Sequence, residues 1–230
     1  MNNLILIRHG QSVWNAENKF TGWVDVDISP KGIEEAVNAA TIIKKKSLEI
    51  DYVFCSSLIR AINTADIILE KLNSSIVPVK KWELNERHYG SLQGKNKAET
   101  SKIYGDEMVK KWRRSYDIPP PKLSELEVVE EKNKANFSID NGYDWPASES
   151  LKDTFNRVMN FWKREIENKF PNKNILIVAH GNTIRSIVKY IENISDNNIV
   201  KVEIATGQPL IYSYNNSKLP SKKHFKFDDI

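Results

Sequence analysis

Leu4-Ile5-Leu6-Ile7-Arg8-His9-Gly10 decides how this chain is read. Four apolar residues in a row make a short strand with no solvent face. The strand stops on a cation and an imidazole, so both sit at its carboxyl end, which is where open α/β sheets bind ligands. Gly10 lacks a Cβ, so backbone or ligand can approach closely there. For the tripeptide alone, a surface His beside a turn Gly reads equally well. A second stretch repeats the pattern: Ile175-Leu176-Ile177-Val178-Ala179-His180-Gly181-Asn182 is apolar strand, His, Gly, then the start of a helix. The chain has only 4 His, and two of them end strands expected to lie in one sheet.

Working outward, the polar run Gln11-Ser12-Val13-Trp14-Asn15 predicts a short helix, and Thr21-Gly22-Trp23 a loop. Ser29-Pro30 opens a helix running to about residue 46, because Ser is favoured at the N-cap and Pro at the first helical position. A second strand is expected over 51–55, with Ser56-Ser57 capping the helix that follows. That helix carries a core stripe at Leu58, Ile62, Ala65, Ile68, Leu69 and Leu72. Arg60 lies about 200° around from Ile62 at 100° per residue, which points it away from the core and reads first as a solvated side chain.

A third strand is expected over 76–79. Glu83-Leu84-Asn85-Glu86-Arg87-His88-Tyr89-Gly90 is too polar for a core strand. Residues 98–111 predict one helix, with Lys97 before it and Trp112-Arg113-Arg114 at its end. An Arg pair beside an aromatic suits a solvated face, or bidentate recognition of phosphate or carboxylate. Pro119-Pro120-Pro121 stops regular structure, and 119–146 shows no clean period, which predicts an irregular surface excursion or lid. Leu151, Phe155, Val158, Trp162 and Ile166 mark another amphipathic helix, ended by Pro171. After the His180 strand comes a helix with Ile184, Ile187, Val188 and Ile191; further strands are expected over 210–214 and 224–227. Strands alternating with helices predict a three-layer α/β/α sandwich with a mainly parallel sheet, as one domain over 1–230.

Composition narrows the function. Net charge is +4, from 34 basic and 30 acidic residues, too small an excess to imply nucleic acid. The apolar runs are too short to span a bilayer, and no signal segment opens the chain. A single Cys, Cys55, excludes an internal disulfide framework and is expected in the core. These features predict a cytoplasmic protein. There is no Cys/His cluster of zinc-like spacing, no glycine-rich nucleotide loop and no repeat. Two imidazoles, several Arg and a carboxylate without a metal-ligand set suggest phosphoryl transfer through a phosphohistidine. Neutral His is a competent nucleophile, and cations stabilise the charge spread over the transferring phosphoryl. Gly181-Asn182 at a helix amino terminus can add donors, and Glu86 can exchange a proton with the leaving or attacking oxygen.

Arg8-His9-Gly10-Gln11-Ser12, Phe20-Thr21-Gly22-Trp23, Leu84-Asn85-Glu86-Arg87-His88-Tyr89-Gly90, Trp112-Arg113-Arg114 and Ala179-His180-Gly181-Asn182 resemble the cofactor-dependent phosphoglycerate mutases. The first and last blocks mark the wider histidine phosphatase superfamily. The resemblance runs from Leu4 to about Tyr214 and implies the following roles. His9 is the nucleophile, His180 stabilises the transferred phosphoryl opposite it, and Glu86 is the general acid/base. Arg8 and Arg60 bind the phosphoryl, assisted by Asn15, Gly181 and Asn182. Thr21, Gly22, Tyr89, Lys97, Arg113 and Arg114 hold the substrate's carboxylate and its second phosphate. The reaction implied is interconversion of 3-phosphoglycerate and 2-phosphoglycerate in glycolysis and gluconeogenesis. It is primed by 2,3-bisphosphoglycerate, without metal, in a homodimer or homotetramer. Two stretches depart from the family pattern: 124–145, and the end of the chain, which is shorter than the Lys- and Ala-rich tail of many relatives. The competing readings are a histidine phosphatase that releases phosphate to water, and a catalytically silent protein that binds a phosphorylated ligand.

Overall fold

The structure, a computed structural model, describes residues 2–140, 142–167, 173–214 and 221–223. Among the described residues six strands form one sheet: β1 (Asn2–Arg8), β2 (Tyr52–Ser56), β3 (Val79–Lys81), β4 (Ile175–Ala179), β5 (Pro209–Tyr214) and β6 (Ser221–Lys223). Their order is β3-β2-β4-β1-β5-β6. The first four in that order run parallel, and β5 and β6 are antiparallel additions. Helices cover both faces, which explains the uninterrupted apolar runs of β1 and β4. Along β1 the side chains alternate: Leu4 and Leu6 join one core, Ile5 and Ile7 the other. The first core is closed by α7 (Leu151–Phe161) and α8 (Gly181–Ile191) through Val158, Phe161, Ile184 and Ile187. The second is closed by α2 (Pro30–Lys45) and α3 (Ile59–Lys71) through Ala36, Ala39, Ala40, Ile43, Ala61, Ala65 and Ile68. Each fully buried Leu or Ile contributes about 1.5–3 kcal/mol, so the middle of β1 anchors both layers. The expected three-layer α/β/α fold is the one observed.

The local signals at several ends held. Ser29 caps α2, accepting from the Gly32 N–H, with Pro30 in the first turn. Ser12 makes a reciprocal capping box with Asn15 on α1 (Val13–Ala16). Cys55 is buried, and burial pushes its thiol up to about 12, so it stays a protonated core residue. Other expectations are corrected. The third strand begins at Val79, where β3 pairs with β2 in the register Phe54↔Val79. Residues 98–111 are not one helix: α4 (Lys97–Tyr104) and α5 (Asp106–Arg114) meet at Gly105, whose φ of 82° ends a right-handed helix. Serine side chains do not make the N-cap of α3: the cap position is Leu58, and Asp25 Oδ1 accepts from the Ile59 N–H.

The stretch 119–146 is not wholly irregular. It contains α6 (Glu125–Lys134), opened by a Ser124–Glu127 capping box. No residue of α6 is buried, so it has no apolar stripe for periodicity to find. It packs through Val128 onto a cluster of Trp23, Trp82 and Trp145. α7 runs into a π-type turn over Trp162–Ile166, and the expected stop at Pro171 lies outside the described residues, as does the expected strand over 224–227. A short α9 (Asp196–Ile199) follows α8. No helix among the described residues is long and apolar enough to cross a membrane.

Candidate active site

β1 and β4 are neighbours in the register Arg8↔Ala179, so the two residues that follow them, His9 and His180, leave the sheet side by side. Their ring centroids are 4.9 Å apart. Gly10 is required for packing: a Cβ there would lie 2.2 Å from the Gly32 carbonyl oxygen, so α2 approaches the end of β1 through paired glycines. Gly10 N–H also donates to Thr64 Oγ1 on α3 at 3.1 Å, which pins the residue after the imidazole.

His9 is 3% exposed, and its Nδ1 lies 2.6 Å from the Gly10 carbonyl oxygen. A carbonyl only accepts, so Nδ1 carries the proton and Nε2 holds the lone pair. Burial, then Arg60 and Arg8, hold the imidazole well below its ordinary pKa, keeping it neutral. His180 is fully buried, and burial and Arg60 lower its pKa in the same way. Its Nε2 lies 2.7 Å from Ser56 Oγ.

Arg60 is a correction. It is 1% exposed, not solvated. Its guanidinium donates to the Gly22 and Val24 carbonyls at 2.7 and 3.0 Å. The helical wheel turned it away from the α3 core stripe correctly; the Thr21-Gly22-Trp23 loop folds over that second face and closes it. Burial lowers its pKa to about 10, with Glu86 and Asp25 opposing, so it stays a cation near neutral pH. Gly22 has φ 58°, and its loop is held on its other side by Gln93, whose Oε1 accepts from the Trp23 N–H at 2.7 Å.

The segment from Glu83 to His88 is buried although it is polar. Arg157 on α7 makes this possible. Its NH1 donates to the Glu83 and Asn85 carbonyls at 2.7 and 3.0 Å, and its NH2 to that of Glu86 at 2.9 Å. Glu149 neutralises it, 2.6 Å from Nε. Sequence reasoning passed over Arg157; the signal was an Arg beside Val158 inside an apolar stripe. Glu86 Oε1 accepts from the Arg87 N–H at 2.8 Å and from the Asn182 N–H, at the α8 amino terminus, at 3.2 Å.

These elements enclose one pocket. Arg8, His9, Asn15, Thr21, Gly22, Arg60 and Glu86 line it, as do Tyr89, Lys97, Arg113, Arg114, Gly181 and Asn182. Of the expected site residues only His180 lies behind the wall, against His9. The pocket also includes Arg185, Lys19 and Glu203, which the sequence did not single out. Arg185, one turn after Asn182 on α8, is 3% exposed and donates from NH1 to Asn182 Oδ1 at 3.1 Å. Glu203 pairs with Arg114 at 2.6 Å. Burial lowers the Lys97 pKa, with Arg113 nearby adding to the effect. Arg8 Nε, Arg185 Nε and Thr21 Oγ1 are buried donors without a protein partner, so the site suits an oxyanion-rich ligand. Among the described residues no group of three or more His, Cys, Asp or Glu is placed to hold a metal ion. None of the described residues of 119–146 lines the pocket; that excursion sits one layer behind the Trp23 loop.

Paired imidazoles at adjacent strand ends, opening into a cationic pocket on this α/β frame, define the class. The family description "Histidine phosphatase superfamily (branch 1)" matches residues 4–137 and 122–225, and the chain belongs to that superfamily and, within it, to the 2,3-bisphosphoglycerate-dependent phosphoglycerate mutases. It is 50% identical over 216 residues to 2,3-bisphosphoglycerate-dependent phosphoglycerate mutase 2 of Lactiplantibacillus plantarum, spanning 93% of this chain and 94% of that one. It is 46% identical over 231 residues to 2,3-bisphosphoglycerate-dependent phosphoglycerate mutase 1 of Lactobacillus johnsonii, spanning 100% of both. Among solved structures, the alpha-ribazole phosphatase from Shigella flexneri superposes with a TM-score of 0.70 at 21% identity, over 96% of this chain and 94% of that one, which establishes a shared fold.

Proposed function

We propose that this chain interconverts 3-phosphoglycerate and 2-phosphoglycerate, in glycolysis and gluconeogenesis, through a phosphate carried on His9. The observation that carries this reading is the pocket's surplus of cations. Arg8 and Arg60 beside the His pair suffice for one transferring phosphoryl. Lys97, Arg113 and Arg114 in the same pocket provide for a second anion, as a mutase substrate requires and a simple phosphatase does not. 2,3-Bisphosphoglycerate would supply the phosphoryl group that primes His9, and the unpartnered buried donors of Arg8, Thr21 and Arg185 fit such a polyanion.

In this reading each residue acts by its own geometry. His9 Nε2 attacks phosphorus, forming the N–P bond as the P–O bond breaks. Its fixed Nδ1–H···O=C bond to Gly10 stabilises the positive charge that develops on the ring. Glu86 delivers a proton to the leaving oxygen and takes one back when the second hydroxyl attacks the phosphohistidine. Arg8, Arg60, Asn15 and the Gly181-Asn182 helix terminus hold the transferring group, and His180 supports it from behind His9. Thr21, Gly22, Tyr89, Lys97, Arg113 and Arg114 hold the carboxylate and the phosphate that does not react. The chain works as one domain over 1–230 in the cytoplasm, as a homodimer or homotetramer. The exposed Val77, and Val79 at the start of the edge strand β3, support self-association.

A coupled assay of 3-phosphoglycerate conversion with and without 2,3-bisphosphoglycerate tests the reading. A mutase shows turnover that depends on the bisphosphate. A phosphatase releases inorganic phosphate regardless, and a binding protein does neither. Rates should be unchanged in saturating chelator; a chelator-sensitive rate restored by manganese would contradict metal independence.

A further inference from the structure

We propose that Ser56 and Asn85 are positioning residues that hold His180 in its Nε2–H form, so that Nδ1 is the atom through which His180 takes up a proton when a phosphoryl group binds. The proposal rests on the function proposed above and deepens it. β2 ends on Ser56 beside the end of β4, which places the serine hydroxyl against the His180 ring. Asn85 approaches from the buried 83–88 segment.

The direction of every hydrogen bond in this group is fixed. The Ser57 backbone N–H, which can only donate, lies 2.9 Å from Asn85 Oδ1, so that atom is the amide oxygen and not the nitrogen. Ser56 Oγ lies 2.7 Å from the same oxygen and therefore donates its single proton there. Its two lone pairs remain. One accepts from the Leu58 N–H at 3.1 Å. The other faces His180 Nε2, which must donate. His180, Ser56 and Asn85 are all fully buried, which leaves no solvent route by which the pattern could be reversed.

The consequence falls on Nδ1, which is buried without a partner. With Nε2 committed to Ser56, a neutral His180 offers only a lone pair at Nδ1, and a lone pair repels a phosphoryl oxygen. Support for a phosphoryl group needs an Nδ1–H and hence the imidazolium. The charged and titratable groups that act on the ring are Arg60, His9, Arg8 and Arg157, and all favour the neutral form until an anion arrives. A bound phosphate dianion reverses that field, and one proton from the buffer binds at Nδ1; no bond to phosphorus is made in this step. Asn85 suits the task because it accepts without charge. Its Nδ2 is buried and makes no hydrogen bond, so its donor end is not what the site uses.

The test uses ¹⁵N-histidine-labelled enzyme; with 4 His in the chain, single His→Gln variants assign each ring. Ligand-free enzyme is expected to show His180 neutral with Nε2–H, and inorganic phosphate at pH 8 should convert it to the imidazolium. Calorimetry in two buffers of different ionisation heat should find uptake of about one proton per phosphate, lost in His180→Gln. Ser56→Ala should lose the tautomer preference and reduce kcat at least tenfold, with KM changed far less. Asn85→Asp keeps both acceptor bonds and should retain Nε2–H while holding His180 protonated to higher pH. A neutral His180 with Nδ1–H in the parent, or a Ser56→Ala enzyme with parental tautomer and kcat, would overturn the proposal. If Ser56→Ala does not fold, an unmoved His180 titration in Asn85→Asp overturns it. The tautomer is read without substrate, so absence of mutase turnover would sink the proposed function separately.

Discussion

In the proposed reading His9 attacks phosphorus, and two independent features suit it to that role: its proton is fixed on Nδ1 by the Gly10 carbonyl, and burial beside Arg60 and Arg8 keeps a second proton off. His9→Ala is therefore expected to abolish turnover and the acid-labile phosphoenzyme formed from 2,3-bisphosphoglycerate. The thermal midpoint should change little, because the side chain faces the pocket and not the apolar core. Normal labelling of that variant would refute its role. Arg113 and Arg114 line the same pocket as His9; if they hold the phosphate that does not react, as proposed, changing both to Ala should raise KM and increase leakage to water. Removing a hydrogen bond to a charged group costs about 1.5–3 kcal/mol. Glu203 would modulate the same proposed anchor. Among the described residues it is one of two carboxylates lining the pocket, the other being Glu86, and it pairs with Arg114 at 2.6 Å, so a bound anion competes with it. Glu203→Gln should lower KM a few-fold, and the effect should vanish in an Arg114→Ala background; persistence there would show that Glu203 acts elsewhere.

At the scale of elements, α6 acts as a buttress. Glu131 Oε1 accepts from His88 Nε2 at 2.9 Å, and its Oε2 accepts from Gln93 Nε2 at 3.0 Å; Gln93 in turn holds Trp23. One carboxylate thus ties the excursion to both loops that bound the pocket. Shortening 119–146 is expected to raise phosphatase turnover relative to mutase turnover, with little change in phosphorylation of His9. An unchanged ratio would mean that water is excluded by other parts. The sheet and its flanking helices were legible because their signals are local: an apolar run, a Ser-Pro start, a stripe every three or four residues. His9 and His180 were legible as a pair because each ends such a run. α6 was hidden because none of its residues is fully buried and it packs through Val128 alone rather than through an apolar stripe, although Ser124 and Glu127 spelled out its cap. Arg60 and Arg157 were misjudged or passed over because their burial depends on loops distant in sequence, and a helical wheel contains only the helix.

For the whole molecule, the two neutral imidazoles set a limit in acid. Both have folded-state pKa values well below 6.5, whereas an unfolded His titrates near 6.5. As pH falls below that value the unfolded chain binds protons that the folded chain refuses, so stability is lost with decreasing pH. The slope is about 1.4 kcal/mol per pH unit for each His. Urea midpoints measured from pH 7 down to pH 5 should fall, and less steeply in His9→Gln; equal slopes would place the acid lability elsewhere. The sheet order has another consequence, for synthesis. Among the described residues β1 pairs only with β4 and β5, both in the last quarter of the chain. At roughly 5–20 residues per second, the ribosome leaves Leu4-Ile5-Leu6-Ile7 without a neighbour on either edge for on the order of ten seconds or more. During that interval the nascent chain displays an apolar strand suited to pair with another chain. His9 is thus made long before the frame that shelters it, and the apolar strand beside it stays open to other chains until residue 175 has emerged.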